Sequence, residues 1–338
     1  MKPDTLPSRT AVKKAGRALH DPTTSHEDRS EARDIIGAFR SAHSYPLNAV
    51  AMNVRNKARE TNEQAIIARR LKRLNTIVDK LLRYPTMNVS TMQDLGGCRV
   101  IMPSVGDVDA LRESLTTSRR QRNKIERITD YLHESPKPDG YRGIHLVYQY
   151  GGSKKQYTNL RIEVQLRTEL QHAWATAVET MDLFSGSRLK YGNADHELKR
   201  YFSLVSSLMA DSEGTGPIPG ADSSPSELRS ELRSIEDAIG LLERLSGYEQ
   251  IIRTHGADPR TKAIILELNT ETSELQFSPY QNMSAARNKH AELESNENDV
   301  MDIVLVQLEK VSQLRKAYPN YFADTAAFTS FVRTELDN

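Results

Sequence analysis

Polar and apolar residues alternate along residues 161–167, where Glu163, Gln165 and Arg167 are separated by Ile162, Val164 and Leu166. A period of two predicts a strand with the polar side chains on one face and the apolar ones in a core. Residues 143–150 alternate in the same way, with His145 and Gln149 on one face, and residues 151–155 predict a hairpin joining the two strands. A carboxylate, an amide, a guanidinium and an imidazole would then share one sheet surface, where an ordinary solvated strand carries Thr, Lys or Ser.

Helical spacing dominates most of the remaining chain. Ser25 to His43 predicts a helix with Ser25 as N-cap and Asp28 at the capping-box position, and Pro46 opens another. Ile67, Leu71, Leu74, Val78 and Leu81 recur at intervals of four and three, so residues 63–84 predict one long helix, flanked by Arg69, Arg70, Lys72, Arg73 and Lys80 and stopped by Pro85. Cys98 to Met102 is a short apolar run between Gly96-Gly97 and Pro103, a buried strand, with Asp94 just before it. An acid beside two glycines at a strand end suits a metal ion, and it also suits a plain turn. Helices are expected over 105–116, 168–183 and 195–211.

Residues 212–225 are the plainest linker in the chain, and 226–254 a long helix. Residues 262–338 change character, with strands at 263–268, 274–277 and 300–308 and helices at 284–294, 311–318 and 324–336. The expected division is a basic tail over 1–25 that is partly helical from Thr10 to Leu19, a main domain over 26–211, a linker and long helix over 212–261, and a small α+β domain over 262–338.

Composition narrows the class. The 338 residues hold a single cysteine, Cys98, which excludes an intramolecular disulfide and a cysteine-based zinc site. No apolar run approaches the ~18 residues of a membrane span, and the N-terminus has no apolar h-region, so a cytoplasmic protein with no membrane partner is expected. The net charge of +1 hides an asymmetry. Residues 201–338 carry 12 Lys+Arg against 22 Asp+Glu, and residues 1–200 carry 34 against 23. A basic first half suits phosphates or nucleic acid, and an acidic second half could lie against it.

The parts fall in a distinctive order. A basic segment precedes Asp94 and its strand, then come Lys137 in Ser-Pro-Lys, the run Gly140-Tyr-Arg-Gly-Ile-His145, and Glu163-Val-Gln-Leu-Arg-Thr168. This order resembles the RelA/SpoT synthetase domain, the alarmone-synthetase family of pyrophosphokinases, over residues 55–182. The resemblance implies an α/β fold built on a nucleotidyltransferase-like mixed sheet flanked by helices. It also implies transfer of the β,γ-pyrophosphate of ATP to a ribose 3′-hydroxyl, with Mg²⁺ as cofactor.

Carried onto this chain, the family pattern assigns Arg70, Lys72, Thr76, Lys80 and Arg99 to ATP, although the family usually has Ser at the position of Thr76. Asp94 and Glu163 become metal ligands, with Glu163 also able to take the proton from the attacking hydroxyl. Tyr141 would stack on the acceptor base and His145 would contact its phosphate or ribose. Lys137 and Arg142 fall on the same acceptor side, and Gln165 and Arg167 would orient Glu163 and its strand.

The acidic C-terminal module, with Tyr318-Pro-Asn-Tyr321, resembles the fused toxin–antitoxin CapRel members of that family. That resemblance implies a regulatory Tyr-x-x-Tyr segment over the nucleotide site, the 3′-CCA end of tRNA as acceptor, and a phage capsid protein as trigger. Other family members instead use GDP or GTP and make (p)ppGpp. Tyr318 and Tyr321 equally suit core packing with Phe322, Phe328 and Phe331. A binding module on a retired synthetase fold is the non-enzymatic alternative, and the intact Asp94, Tyr141 and Glu163 argue against it.

Overall fold

The computed structural model describes residues 6–84, 86–117, 122–184, 196–242, 245, 262–269, 275–295, 301–307 and 325–338. Three helices come first: α1 (Arg9–His20), α2 (His26–Ala42) and α3 (Ser44–Thr61). Then follow β1 (Ile66–Leu71), α4 (Leu74–Arg83), β2 (Gly96–Met102), α5 (Val105–Thr117), β3 (Lys124–Asp130), β4 (Ile144–Gln149) and β5 (Arg161–Thr168). Helices α6 (Glu169–Phe184), α7 (His196–Ser212) and α8 (Pro225–Ile239) lead to β6 (Ala263–Asn269), β7 (Leu275–Tyr280), α9 (Met283–Ser295), β8 (Met301–Gln307) and α10 (Ala326–Asp337).

The first five strands form one mixed sheet in the order β1-β2-β5-β4-β3. Only β2 and β5 run parallel, and the other neighbours are antiparallel. One face is apolar: Cys98, Val100, Ile144, Leu146, Val164 and Leu166 are buried against α3 and α5. This is the alternation expected for β4 and β5, and the fold is the expected α+β class with helices flanking a mixed sheet. The β4–β5 connection is longer than a tight hairpin, because a 3₁₀ turn (Lys155–Tyr157) intervenes and Tyr150 and Asn159 pair before the strand starts.

The segment 63–84 is not one helix. Residues 66–71 pair with β2 along their whole length, so sheet bonding overrides the helical spacing of Ile67 and Leu71. The break falls at Lys72, whose two backbone groups are both taken by other segments of the chain. Its N–H donates to the Leu95 carbonyl at 2.9 Å, and its own carbonyl accepts from Arg40 Nε at 2.6 Å. The stripe resumes in α4, where Val78 and Leu81 are buried. Strand β3 is absent from the sequence reading because it is an exposed edge, charged as edges commonly are, and its composition resembles a loop.

The N-terminal tail and the 212–225 linker are packed, and the helix expected from Thr10 to Leu19 in the tail is present. Helix α1 is capped by the Ser8 side chain, which accepts from Ala11 N–H, and it buries Val12, Ala15 and Leu19 against α2 and α4. Only its polar face suits the description of a basic tail. In the 212–225 segment Ile218 and Ala221 are buried, and Arg142 holds the start of the loop. Arg142 Nη1 donates to the Gly216 carbonyl at 2.7 Å, and Nη2 to the Leu132 carbonyl at 2.9 Å and the Thr215 hydroxyl at 2.8 Å.

Helix α8 starts at a Ser224–Glu227 capping box and is interrupted where Gly240 takes a left-handed conformation (φ 60°); residues 241, 242 and 245 are again helical, and the rest of the expected helix to residue 254 lies outside the described residues. Strands β7-β6-β8 form a second, three-stranded sheet with α9 packed on it, and β8 lies beside β1. Helix α10 does not stay with this module. Phe328 and Val332 join the core of α6, α7 and α8, Phe328 lies 5.5 Å from Phe202 between ring centroids, and Arg229 pairs with Glu335 at 2.8 Å. The helix expected at 311–318 lies outside the described residues. Among the described residues no helix is long and apolar enough to cross a membrane.

Arg142 is a buried cation bonded only to structural groups, so its loss should be felt in stability. Arg142→Ala should lower the free energy of unfolding by about 3 kcal/mol, given the strength of hydrogen bonds to a charged donor, as read from urea denaturation.

Candidate active site

The polar face of the large sheet is organised in rows across the strands. Arg70, Gly97 and Glu163 are direct neighbours in one row, and Ala68, Arg99, Gln165 and His145 in the next. Gly97 has no side chain, so the space between Arg70 and Glu163 stays open. Arg70, Lys72, Asp94, Arg99, Glu163, Gln165 and Arg167 line the resulting cleft of about 160 Å³, together with Glu179 of α6. Lys80 borders an adjoining mouth that also touches Asp94 and Glu163.

Asp94 stands in the turn before β2, held by two lysines. Lys72 Nζ lies 2.6 Å from its Oδ2, and Lys80 Nζ lies 3.8 Å from the same atom. Burial pushes the Asp94 carboxyl up, but Lys72 and Lys80 outweigh it and hold it below its ordinary value. Lys72 reaches Asp94 because its backbone is fixed between Leu95 and Arg40, as described above.

Glu163 is the start of a relay of side chains. Its Oε2 accepts from Gln165 Nε2 at 2.7 Å, and its Oε1 lies 3.2 Å from His145 Nδ1. His145 Nε2 lies 2.5 Å from the Tyr141 hydroxyl, which accepts from Arg167 Nη2 at 2.6 Å. Arg167 Nη2 also donates to Gln165 Oε1 at 3.2 Å. The set is satisfied when His145 donates through Nδ1 and accepts through Nε2. Burial pushes the Glu163 carboxyl up, but the His145 and Gln165 bonds overcome it and leave it below its ordinary value. Burial pushes the Tyr141 hydroxyl up, so it stays protonated. Arg167 is buried, and its Nε and Nη1 have no hydrogen-bond partner among the described residues. Two unsatisfied donors on a buried cation are costly unless an anion meets them.

The loop before β4 fixes Tyr141. Gly140 sits at φ 89°, and a Cβ there would meet the Trp174 ring at 2.7 Å. Ser206 Oγ donates to the Gly140 carbonyl at 2.6 Å, and Ser203 Oγ to the Pro138 carbonyl at 3.0 Å, so α7 clamps the loop. Gly143, at φ 142°, brings the chain close to Arg167. Lys137 Nζ lies 4.8 Å from the Tyr131 ring centroid and 5.1 Å from that of Tyr141. Tyr131 also meets the Tyr141 and His145 rings edge to face.

The structure therefore gathers most of the expected site residues, with exceptions. Arg142 faces away, into the bonds that hold the 213–216 loop, and so is not among the groups that can touch an acceptor. Thr76 is half-buried in the first turn of α4 and does not line the cleft. Tyr318 and Tyr321 lie outside the described residues. Glu179 and Tyr131 were not assigned from the sequence. Glu179 had one signal, an acid on the apolar face of a helix, and Tyr131 had none, since it enters through its contacts with Tyr141 and His145.

A divalent ion fits the chemistry of Asp94 and Glu163, two charged carboxylates on one cleft. Among the described residues no group of three His, Cys, Asp or Glu is arranged to hold a metal. Mg²⁺ is commonly held by one or two carboxylates plus phosphates and water, so two protein ligands are enough.

Comparison with known proteins finds several likenesses. Residues 69–183, from within β1 to the last turn of α6, match the family model described as the region found in RelA / SpoT proteins. GTP pyrophosphokinase YjbM of Bacillus subtilis is 29% identical over 189 residues, which are 54% of this chain and 78% of that protein. An uncharacterized protein of Mycobacterium tuberculosis is 24% identical over 199 residues, 56% of this chain and 64% of its own length. Among solved structures, the small alarmone synthetase 1 of Bacillus subtilis bound to its product pppGpp has a TM-score of 0.44 and 22% identity, over 51% of this chain and 90% of that one.

Both carboxylates sit below their ordinary values in the folded chain. Their contribution to stability is complete above the ordinary carboxylate range and is lost as pH falls through the lowered folded values. Thermal melts from about pH 6 down to about pH 3 should show a falling midpoint below about pH 4. Asp94→Asn should flatten part of that fall.

Proposed function

We propose that this chain is a pyrophosphokinase of the RelA/SpoT type, which transfers a pyrophosphate group from ATP to the 3′-hydroxyl of a ribose. The observation that carries this reading is the convergence of Asp94 and Glu163 on one cleft ringed by Arg70, Lys72, Arg99 and Arg167. A triphosphate needs such cations, and the unpartnered Nε and Nη1 of Arg167 suit phosphate oxygens.

In the reaction the ribose 3′-oxygen forms a bond to the β-phosphorus, the bond from that phosphorus to the oxygen bridging to the α-phosphate breaks, and AMP leaves. Glu163, kept charged by His145 and Gln165, takes the hydroxyl proton. Lys72 exchanges Asp94 for phosphate oxygens when ATP enters, and Arg70 and Arg99 flank the nucleotide. Tyr141, steadied by Arg167 and His145, offers its ring to the acceptor base. Mg²⁺ held by Asp94 and Glu163 would supply the remaining charge neutralisation on the phosphates.

For the acceptor we favour the 3′-CCA end of tRNA, with inhibition of translation as the consequence. The support is the likeness of the C-terminal module to fused toxin–antitoxin proteins and the excess of cations in residues 1–200. GDP or GTP, giving an alarmone, is the second reading, and the Bacillus subtilis relative named as a GTP pyrophosphokinase favours it. The C-terminal module restrains the enzyme. The position of β8 beside β1, the strand that carries Arg70, supports this. A phage protein as the release signal rests on the Tyr318–Tyr321 resemblance, and the cytoplasm is the setting all these roles require.

Three measurements test this reading. Glu163→Gln should lower transfer from labelled ATP by about 10² or more, the usual weight of a general base, with unfolding unchanged in character. A rate equal to wild type would remove Glu163 from the chemistry. With purified protein, label should move to tRNA and vanish when the CCA end is removed, whereas label on GDP or GTP selects the alarmone reading. Tyr318→Ala and Tyr321→Ala should each raise the transfer rate, and unchanged rates in both would remove the C-terminal module from control.

A further inference from the structure

A second cavity lies on the opposite side of β1 from the cleft. At about 230 Å³ it is the larger of the two, and it is closed by α2 and α3 on one side and by α9 and β8 on the other. Its lining includes Arg40, Arg69, Arg73, Arg287 and His290, together with Arg70, which also borders the cleft. They come from four separate elements or their ends, brought together only when the C-terminal module sits against β1. Arg40 and His290 are buried, at 5% and 8% exposure, and the Arg40 charge is strongly felt in that low-dielectric setting. Leu71, Met283 and Ile303 supply an apolar wall beside them. Guanidinium groups on one side and an apolar wall on the other match a phosphorylated heterocycle better than a simple ion.

We propose that this cavity is a second nucleotide-binding site, taking the phosphates of a nucleoside polyphosphate on Arg69, Arg73 and Arg287 and its base against Leu71, Met283 and Ile303. The site has a direct line to the catalytic cleft. Arg40 lines the cavity and donates through Nε to the Lys72 carbonyl at 2.6 Å, and Lys72 Nζ is the 2.6 Å partner of Asp94. A phosphate that draws on the Arg40 guanidinium therefore acts on the backbone that aims Lys72. Occupancy also ties α9 and β8 to β1, so the ligand fastens the C-terminal module in place. The proposal concerns binding alone and stands whichever acceptor the cleft uses, or if it uses none.

Hydrogen–deuterium exchange on the full-length chain tests it, with GTP, ATP and inorganic triphosphate as separate probes. Each nucleotide that binds should slow exchange in peptides covering 283–291. Arg287 is exposed, so Arg287→Gln should leave the fold intact, weaken that protection about tenfold in ligand concentration, as loss of one charge-assisted contact does, and leave protection of 94–99 by ATP unchanged. Arg99→Gln should do the reverse. Arg69→Gln is the second variant on the cavity and should behave as Arg287→Gln. Protection by inorganic triphosphate equal to that by GTP would overturn the nucleotide assignment and leave a phosphate site. No slowing over 283–291 with any probe, or slowing that survives both Arg287→Gln and Arg69→Gln, would overturn the site.

Discussion

The parallel pairing of β2 with β5 is the constraint on which the site depends. It sets Gly97 level with Glu163 and Arg99 level with Gln165. It also brings the turn that carries Asp94 to the same end of the sheet as Glu163. A shift of one residue in this register would turn Glu163 toward α3 and α5 and expose Val164. The apolar face prevents that shift, because Cys98, Val100, Val164 and Leu166 are all buried. The core on one side of the sheet thus fixes the positions of the charges on the other.

The charges then order one another. Glu163, His145, Tyr141, Arg167 and Gln165 form a closed set in which each polar tip orients the next. Asp94 forms a smaller set with Lys72 and Lys80. Both carboxylates stay charged despite burial because these partners outweigh desolvation. A cleft with fixed charges needs little reorganisation when a polyphosphate arrives, which is the condition for electrostatic stabilisation of a developing charge.

Much of this was legible in the residues. Strict alternation over 161–167 marks strand β5 and its polar face, and the Gly96-Gly97 pair after Asp94 marks a strand end that suits either a metal ion or a plain turn. Other parts were hidden for physical reasons. Residues 66–71 have helical spacing, and only their partner strand reveals that they are extended. Strand β3 is charged like a loop because it is an edge. Arg142 sits between Tyr141 and His145, yet its guanidinium is taken up by the Leu132 carbonyl and the 215–216 loop. A packed linker cannot be told from a loose one by Gly, Ser and Pro content, since two buried residues, Ile218 and Ala221, suffice to fasten it.

Helix α10 gives the C-terminal module an unusual attachment. The module leaves the core after α8 and its chain comes back to the core at α10, where Phe328 and Val332 are sealed beside Phe202. Strands β6 to β8 and α9 are therefore an excursion anchored at both ends. If they lift from β1 they remain tethered, and reattachment is a ring-closing event whose probability depends on loop length and not on how much protein the cell holds. An excursion tethered at both ends can reseat on β1 without a second molecule.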